Sequence, residues 1–337
     1  MKKVLLGILV LILLAGGYIA YKVIGPNTGD FSADAYLYIP TGSDYNQVKE
    51  ILEREKFVKD MRSFDFVAKR AKYPNRIKPG KYKISKGMSN LALVKKLRSG
   101  DQEPVKLVIN KIRTRQDFAK LIDKHLEPDS AEMLRLLHNP EFLKEYGLDS
   151  STALCAIIPD TYEFWWNTSS NEVFDKLAGY YEKFWTDERK AKAAAKGLNP
   201  VQTTILASII DEETNYNPEK PEIASVYLNR LKIGMRLQAD PTVKYAVGDF
   251  GIRRITSAIT STPSPYNTYY TAGLPPGPIC TPSKKSIEAV LNAPETKYLY
   301  FSAKEDMSGA HRFASTYSEH LKNARLYHKA LNQRGIH

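Results

Sequence analysis

From Val4 to Tyr21 no position is charged, and Lys2, Lys3 and Lys22 bracket a run dominated by Leu, Ile and Val. About eighteen such residues as one helix just cross a bilayer core. With the lysines of the tail 1–3 at its start, the positive-inside rule keeps the N-terminus in the cytoplasm and sends the rest of the chain across. A cleaved secretory signal competes with this, but Ala15-Gly16-Gly17-Tyr18-Ile19-Ala20 offers no clean small-x-small site, so a retained anchor over 4–21 is expected. Residues 22–33, including Gly25-Pro26-Asn27-Thr28-Gly29-Asp30, have no periodicity and read as a linker.

Over 34–102 the pattern switches between the two periods of regular structure. Tyr36–Pro40 alternates as a strand, and Gly42-Ser43 opens a helix through Val48, Ile51 and Leu52. A second helix is expected around Phe64, Phe66, Val67 and Ala68. Ile77–Ile84 turns into a strand, and Ser89-Asn90 starts a helix through Leu91, Leu93, Val94 and Leu97. This predicts a small α/β module. The remainder, 103–337, has room for one larger mixed α/β domain, with an entering strand at Lys106–Ile109 and helices in 114–147 and 171–197, giving an α+β class overall.

One helix in that domain carries the candidate chemistry. Ile205-Leu206-Ala207-Ser208-Ile209-Ile210 runs into Asp211-Glu212-Glu213. At about 100° per residue, Leu206, Ile209, Ile210 and Glu213 share one stripe, while Asp211 points nearly opposite and Glu212 sits at the edge. A carboxyl held against apolar surface loses hydration of its charged form, so Glu213 should stay protonated near neutrality, as a general acid must. A frayed, solvated last turn of a core helix gives the same periodicity. Asn217-Pro218 then starts a second helix through Ile223, Val226, Tyr227 and Leu231, which stops at Gly234.

Beyond it, Arg236, Gln238 and Asp240 recur at alternate positions and would share one face of an extended segment. Such a face suits sugar hydroxyls and amides, and equally the wet side of any half-buried strand. The stretches Thr262–Tyr269 and Gly273–Pro278 are rich in proline, which leaves little freedom to lose when Tyr266, Asn267 and Tyr269 are held in place. Tyr162, Phe164, Trp165 and Trp166 offer flat rings for sugars, or core.

The composition narrows the function further. The 337 residues are 43% hydrophobic, which suits a folded protein, and the net charge of +12 favours polyanionic partners. Beyond a membrane that means anionic lipid or an acidic polymer; no zinc-finger or RNA-recognition spacing points to nucleic acid. Cys155 and Cys280 are too few for a disulfide framework, and they either pair or stay as buried thiols. Neither the cysteines nor the six histidines form a metal-ligand pattern, so metal-free and cofactor-free chemistry is expected.

Several blocks together resemble the MltG (YceG-like) endolytic murein transglycosylases. They are Ala207-Ser208-Ile209-Ile210-x-x-Glu213-Thr214, Ala224–Leu231, Gly234-Met235-Arg236-Leu237-Gln238-x-Asp240-Pro241-Thr242-Val243, Tyr266-Asn267-Thr268-Tyr269 and Gly273–Ile279. The resemblance implies an anchor, a LysM-like module at 34–102 and a YceG-like catalytic domain at 103–337. It implies an inner-membrane enzyme that cuts nascent peptidoglycan near the membrane, possible peptidoglycan synthase partners, and Glu213 as its catalytic carboxylate. Two departures stand out: Asp211 replaces a first motif Glu, and Leu154-Cys155-Ala156 stands where the family often has Leu-Glu-Gly upstream of Pro159-Asp160-Thr161-Tyr162. The expected reaction is endolytic cleavage of the β-1,4 bond between N-acetylmuramic acid and N-acetylglucosamine with a 1,6-anhydro end, Glu213 serving as acid then base. Arg236, Gln238, Asp240 and Asn267 would orient the sugars between Tyr266 and Tyr269. The rivals are a hydrolytic muramidase with Asp240 activating water, and a catalytically silent, membrane-tethered peptidoglycan-binding scaffold.

Overall fold

Two units make up the computed structural model, which describes residues 2–29, 31, 35–252 and 254–333. The first takes residues up to Leu107 together with Ile122–Pro128 and Glu163–Ser169; the second takes the rest. Two segments that follow residue 103 in the chain thus belong to the first unit.

The first unit begins with α1 (Lys2–Ile24), none of whose residues is buried and which is long and apolar enough to cross a membrane. Then come β1 (Ala35–Ile39), α2 (Tyr45–Arg54), α3 (Met61–Arg70), β2 (Gly80–Ile84) and α4 (Asn90–Ser99). β1 and β2 pair antiparallel, with Leu37 opposite Tyr82. Alternation points Leu37, Ile39, Tyr82 and Ile84 inward against Val48, Leu52, Phe64, Val67, Leu93 and Leu97. Side chains cap the starts of α2, α3 and α4: Asp44 in a reciprocal box with Gln47, Asp60, and Ser89.

The helix expected around Phe64, Phe66, Val67 and Ala68 is α3, on which Phe66 is 47% exposed. In the segment read as a linker, Asn27 and Thr28 are buried. The Asn27 amide donates to Asn90 Oδ1 at 2.7 Å and accepts from the Asp60 amide at 2.9 Å, while Asn27 N and Gly29 N donate to Met88 O and Phe57 O. A polar segment can be ordered entirely by backbone and amide pairing, which leaves no trace in hydrophobic periodicity. Met1, Asp30, the boundary at 33/34 and the C-terminus at His337 lie outside the described residues.

The rest of the chain runs through β3 (Val105–Ile109), α5 (Arg115–His125), α6 (Ser130–His138), α7 (Pro140–Lys144), β4 (Asp160–Phe164), α8 (Ser170–Phe184) and α9 (Asp187–Ala195). There follow α10 (Pro200–Glu213), α11 (Lys220–Lys232), α12 (Asp240–Val247), α13 (Ser257–Thr260), α14 (Lys284–Leu291), β5 (Tyr300–Ala303), β6 (His311–Ala314) and α15 (Tyr317–Gln333). β3 pairs with β4, and β5 pairs antiparallel with β6. In the second unit α10 is the central element, packed against α9, α11, α12 and α14. Its hydroxyls fold back on the helix itself, Thr203 on Asn199 O and Thr204 on Pro200 O, so they can be buried without loose polar atoms.

Met235–Pro241 is not a strand. Gln238 has φ +52°, and Pro241 sits in the first turn of α12, where its fixed φ suits a helix start. Leu237 and Ala239 are nevertheless buried between exposed Arg236, Gln238 and Asp240, so the alternation holds without the strand. Cys155 and Cys280 are both buried free thiols. In the aromatic cluster Tyr162 and Phe164 are buried and Trp165 is 52% exposed.

Candidate active site

Three consecutive carboxylates leave the end of α10 in three directions. The single apolar stripe expected of this helix is not there, because every residue from Thr203 to Asp211 is buried. Asp211, expected to face away from the core, is surrounded: its Oδ1 accepts from Lys220 Nζ at 3.1 Å, Ser283 Oγ at 2.7 Å and Ser286 Oγ, and Lys111 Nζ lies 3.1 Å from Oδ2. Burial pushes its carboxyl up, but the two serine hydroxyls and the Lys111 and Lys220 ammonium groups outweigh that and hold it at about 2. Glu212 is clamped by both arms of the Arg113 guanidinium, at 3.1 and 2.9 Å, with Lys111 at 3.3 Å.

Glu213 has the opposite surroundings. It is half-buried, and its Oε2 is out of contact with solvent and without a hydrogen-bond partner. Burial, and then the negative charge of Asp240, raise its carboxyl to about 7; the Tyr227 hydroxyl, Arg230 and Lys244 pull the other way. Three neighbouring carboxyls, one locked as an anion, one paired, and one poised to hold a proton, separate a structural role from an acid role.

The walls come from α11, α12 and the loop after α13. Tyr227 and Arg230 lie three residues apart on α11 and turn toward Glu213. The Arg230 guanidinium is braced by the carbonyls of Leu299 at 2.7 Å and Leu237 at 2.5 Å. The Tyr269 hydroxyl donates to Asp240 Oδ1 at 2.7 Å, and Arg236 donates to Tyr269 O at 3.1 Å. A cavity of 190 Å³ lined by Arg113, Glu212, Pro241, Lys244, Phe250 and Ile279 adjoins the base of α12.

The structure therefore brings Asp240 and Tyr269 into the electrostatic surroundings of Glu213, with Arg236 joined through Tyr269. Gln238 is exposed, and its backbone N donates to Thr268 O. Asn267 is placed otherwise than expected: it is fully buried, its amide donates to Thr260 O and Thr262 O, and its Oδ1 accepts from the Tyr269 amide. With every polar atom engaged it holds the loop, and nothing is left over for a ligand. Tyr266 is half-buried against Tyr245, ring centres 4.7 Å apart, near Gly277, where an added Cβ would collide with Ser151 O. Tyr227, Arg230 and Lys244 escaped sequence reasoning. The signal available was a Tyr and an Arg at helical spacing within an otherwise apolar segment.

The profile of the YceG-like family matches residues 37–326, which include α10 and every wall of this site. The chain belongs to the YceG-like family. Among its relatives is a protein of Bacillus subtilis named endolytic murein transglycosylase, 28% identical over 96% of this chain and 93% of that one. A protein of the same name from Streptococcus pneumoniae is 27% identical over 93% of this chain, which spans 62% of the pneumococcal protein. A crystal structure of a yceG-like protein from Listeria monocytogenes is similar with a TM-score of 0.57 and 30% identity, covering 86% of this chain and 98% of that one. The YceG-like match thus spans α10, α12 and the proline-rich loops together.

Proposed function

We propose that this YceG-like chain is an endolytic lytic transglycosylase of peptidoglycan, held as a single-pass protein in the cell inner membrane by α1 with its catalytic unit on the outer side. The names carried by the Bacillus and pneumococcal relatives support the reaction class. The observation that carries the mechanism is Glu213, a carboxyl whose buried, unpartnered Oε2 and raised pKa near 7 let it arrive protonated. It gives that proton to the glycosidic oxygen as the bond from the muramic C1 breaks. The C6 hydroxyl of the same ring then attacks C1, and its proton passes to the Glu213 carboxylate. No water is consumed, and the acid is restored. Intramolecular attack gains an effective molarity of about 10⁵ to 10⁸ M when well oriented, so a second carboxylate to activate water is unnecessary.

Asp240, on this reading, has two tasks. Its charge keeps Glu213 protonated at rest, and it stabilises positive charge developing on the sugar ring. Tyr227 donates to Glu213 once the proton has left, and Tyr269 fixes Asp240. Arg236 and Gln238 are the exposed polar groups left to meet sugar amides and hydroxyls. A LysM-like role for the first unit in holding glycan, and peptidoglycan synthases as partners, belong to the same proposal.

Analysis of products from purified glycan strands tests it. Internal cleavage with 1,6-anhydro ends is expected, and Glu213→Gln should abolish cleavage while glycan binding survives. Reducing ends in place of anhydro ends would establish the hydrolytic muramidase instead. Cleavage unchanged in Glu213→Gln would remove the acid assignment, and binding with no cleavage by the wild-type chain would leave a scaffold.

A further inference from the structure

α1 does not end in a free linker; its last turn is built into the first unit beside α3. Lys22 Nζ bonds Asp60 Oδ2 at 2.7 Å, and Asn90 Nδ2 donates to Lys22 O at 2.8 Å. Between the two helices lies a cavity of 480 Å³ lined by Tyr18, Ile19, Lys22, Asp60, Arg62, Ser63 and Phe66. Tyr18 sits three residues, about 4.5 Å of helix rise, inside the end of the apolar run at Tyr21. If α1 spans the bilayer, the cavity opens at the depth of the lipid headgroups.

Its chemistry matches that depth. Lys22 and Asp60 neutralise each other, and among the described residues the Arg62 guanidinium has no carboxylate partner, so the cavity carries one net positive charge. Arg62, Phe66, Lys69 and Arg70 are the exposed positions of α3 and fall on one helical face. Lys69 is paired with Asp65 at 2.6 Å, while Arg70 lies over the Phe66 ring at 5.4 Å. A 47%-exposed phenylalanine between two arginines is costly to leave in water and well suited to the boundary between headgroups and acyl chains.

We propose that the cavity between α1 and α3 seats the phosphate of an anionic phospholipid, and that the Arg62, Phe66 and Arg70 face of α3 lies on the bilayer surface. Lys22 and Arg62 flank the phosphate, and Phe66 reaches the upper acyl chain. The contact holds the first unit against the membrane. This inference rests on α1 being a span and is independent of the reaction assigned to Glu213.

The test uses the full chain in mixed vesicles, with a bimane label on Phe66→Cys and, separately, on Ile12→Cys; Cys155 and Cys280 are buried and stay unlabelled. Brominated phosphatidylglycerol should quench the position-66 label about five-fold more effectively than brominated phosphatidylcholine, the preference one basic side chain gives near an anionic surface. Arg62→Glu should abolish that preference while leaving quenching at position 12 unchanged. Equal quenching by the two lipids, a preference that survives Arg62→Glu, or no quenching at 66 when 12 is quenched would each overturn the site and leave the span standing. Failure to quench at 12 would refute the span, and the site with it.

Discussion

Replacing Glu213 by Gln should stabilise the second unit as the pH rises. A carboxyl that ionises near 7 in the fold and near 4.5 in the unfolded chain costs the fold about 3 kcal/mol once it is fully charged. The sign follows from proton counting. Between those two values the native state holds the proton and the unfolded chain has lost it, so stability falls as pH climbs from 4.5 and levels off above 7. Gln never ionises and escapes this loss. Urea unfolding of the full chain should show Glu213→Gln about as stable as wild type near pH 4 and about 3 kcal/mol more stable near pH 8.5. Trp185, 3% exposed in the same core as Ile209, Ile210 and Tyr227, reports on this unit when Trp165 and Trp166 are replaced by Phe in both proteins. A difference between the two proteins that does not change with pH would show that the carboxyl is unperturbed, and the acid role would lose its physical basis.

The remaining predictions concern the neighbours. Asp240→Asn removes a charge that raises the Glu213 pKa, so the alkaline fall in kcat/KM should move below pH 7; a fall at unchanged pH would contradict the coupling. Tyr227→Phe removes a hydrogen bond that lowers it, and the same limb should move to higher pH in the same rate measurement. Lys220→Met leaves Asp211 short of one buried partner and should cost about 3 kcal/mol in urea unfolding, with most of the loss recovered when Asp211 is also replaced by an apolar residue. Gly277→Ala drives a Cβ into Ser151 O and should cost at least about 1 kcal/mol by the same measurement.

The first unit was legible because its helices and strands expose one face and bury the other. Val48 and Leu52, or Leu37 and Ile39, show the period directly. α10 broke that rule, since a helix buried on all sides has no stripe, and Asp211 was therefore placed outward when it lies inside a cage of Lys111, Lys220, Ser283 and Ser286. Partners drawn from positions so distant cannot be read from local spacing. Asn267 misled for a related reason: an amide near a site satisfies a backbone as readily as a ligand, and only the bonds to Thr260 O and Thr262 O decide between them.

The cage around Asp211 explains how one helix end can support a neutral acid beside two anions. Adjacent helical positions diverge by about 100°, so each carboxyl can be given its own environment within a single turn. Lys111, Lys220 and Arg113 are spent on Asp211 and Glu212, leaving the raised side of the balance at Glu213 to burial and Asp240. Were any of those cations free to swing toward Glu213, its carboxyl would ionise at lower pH and the proton that the proposed mechanism gives to the glycosidic oxygen would be missing. The ion pairs behind the site thus keep three cations away from Glu213, so that only the Tyr227 hydroxyl, Arg230 and Lys244 favour its anion, and burial with the charge of Asp240 outweighs them.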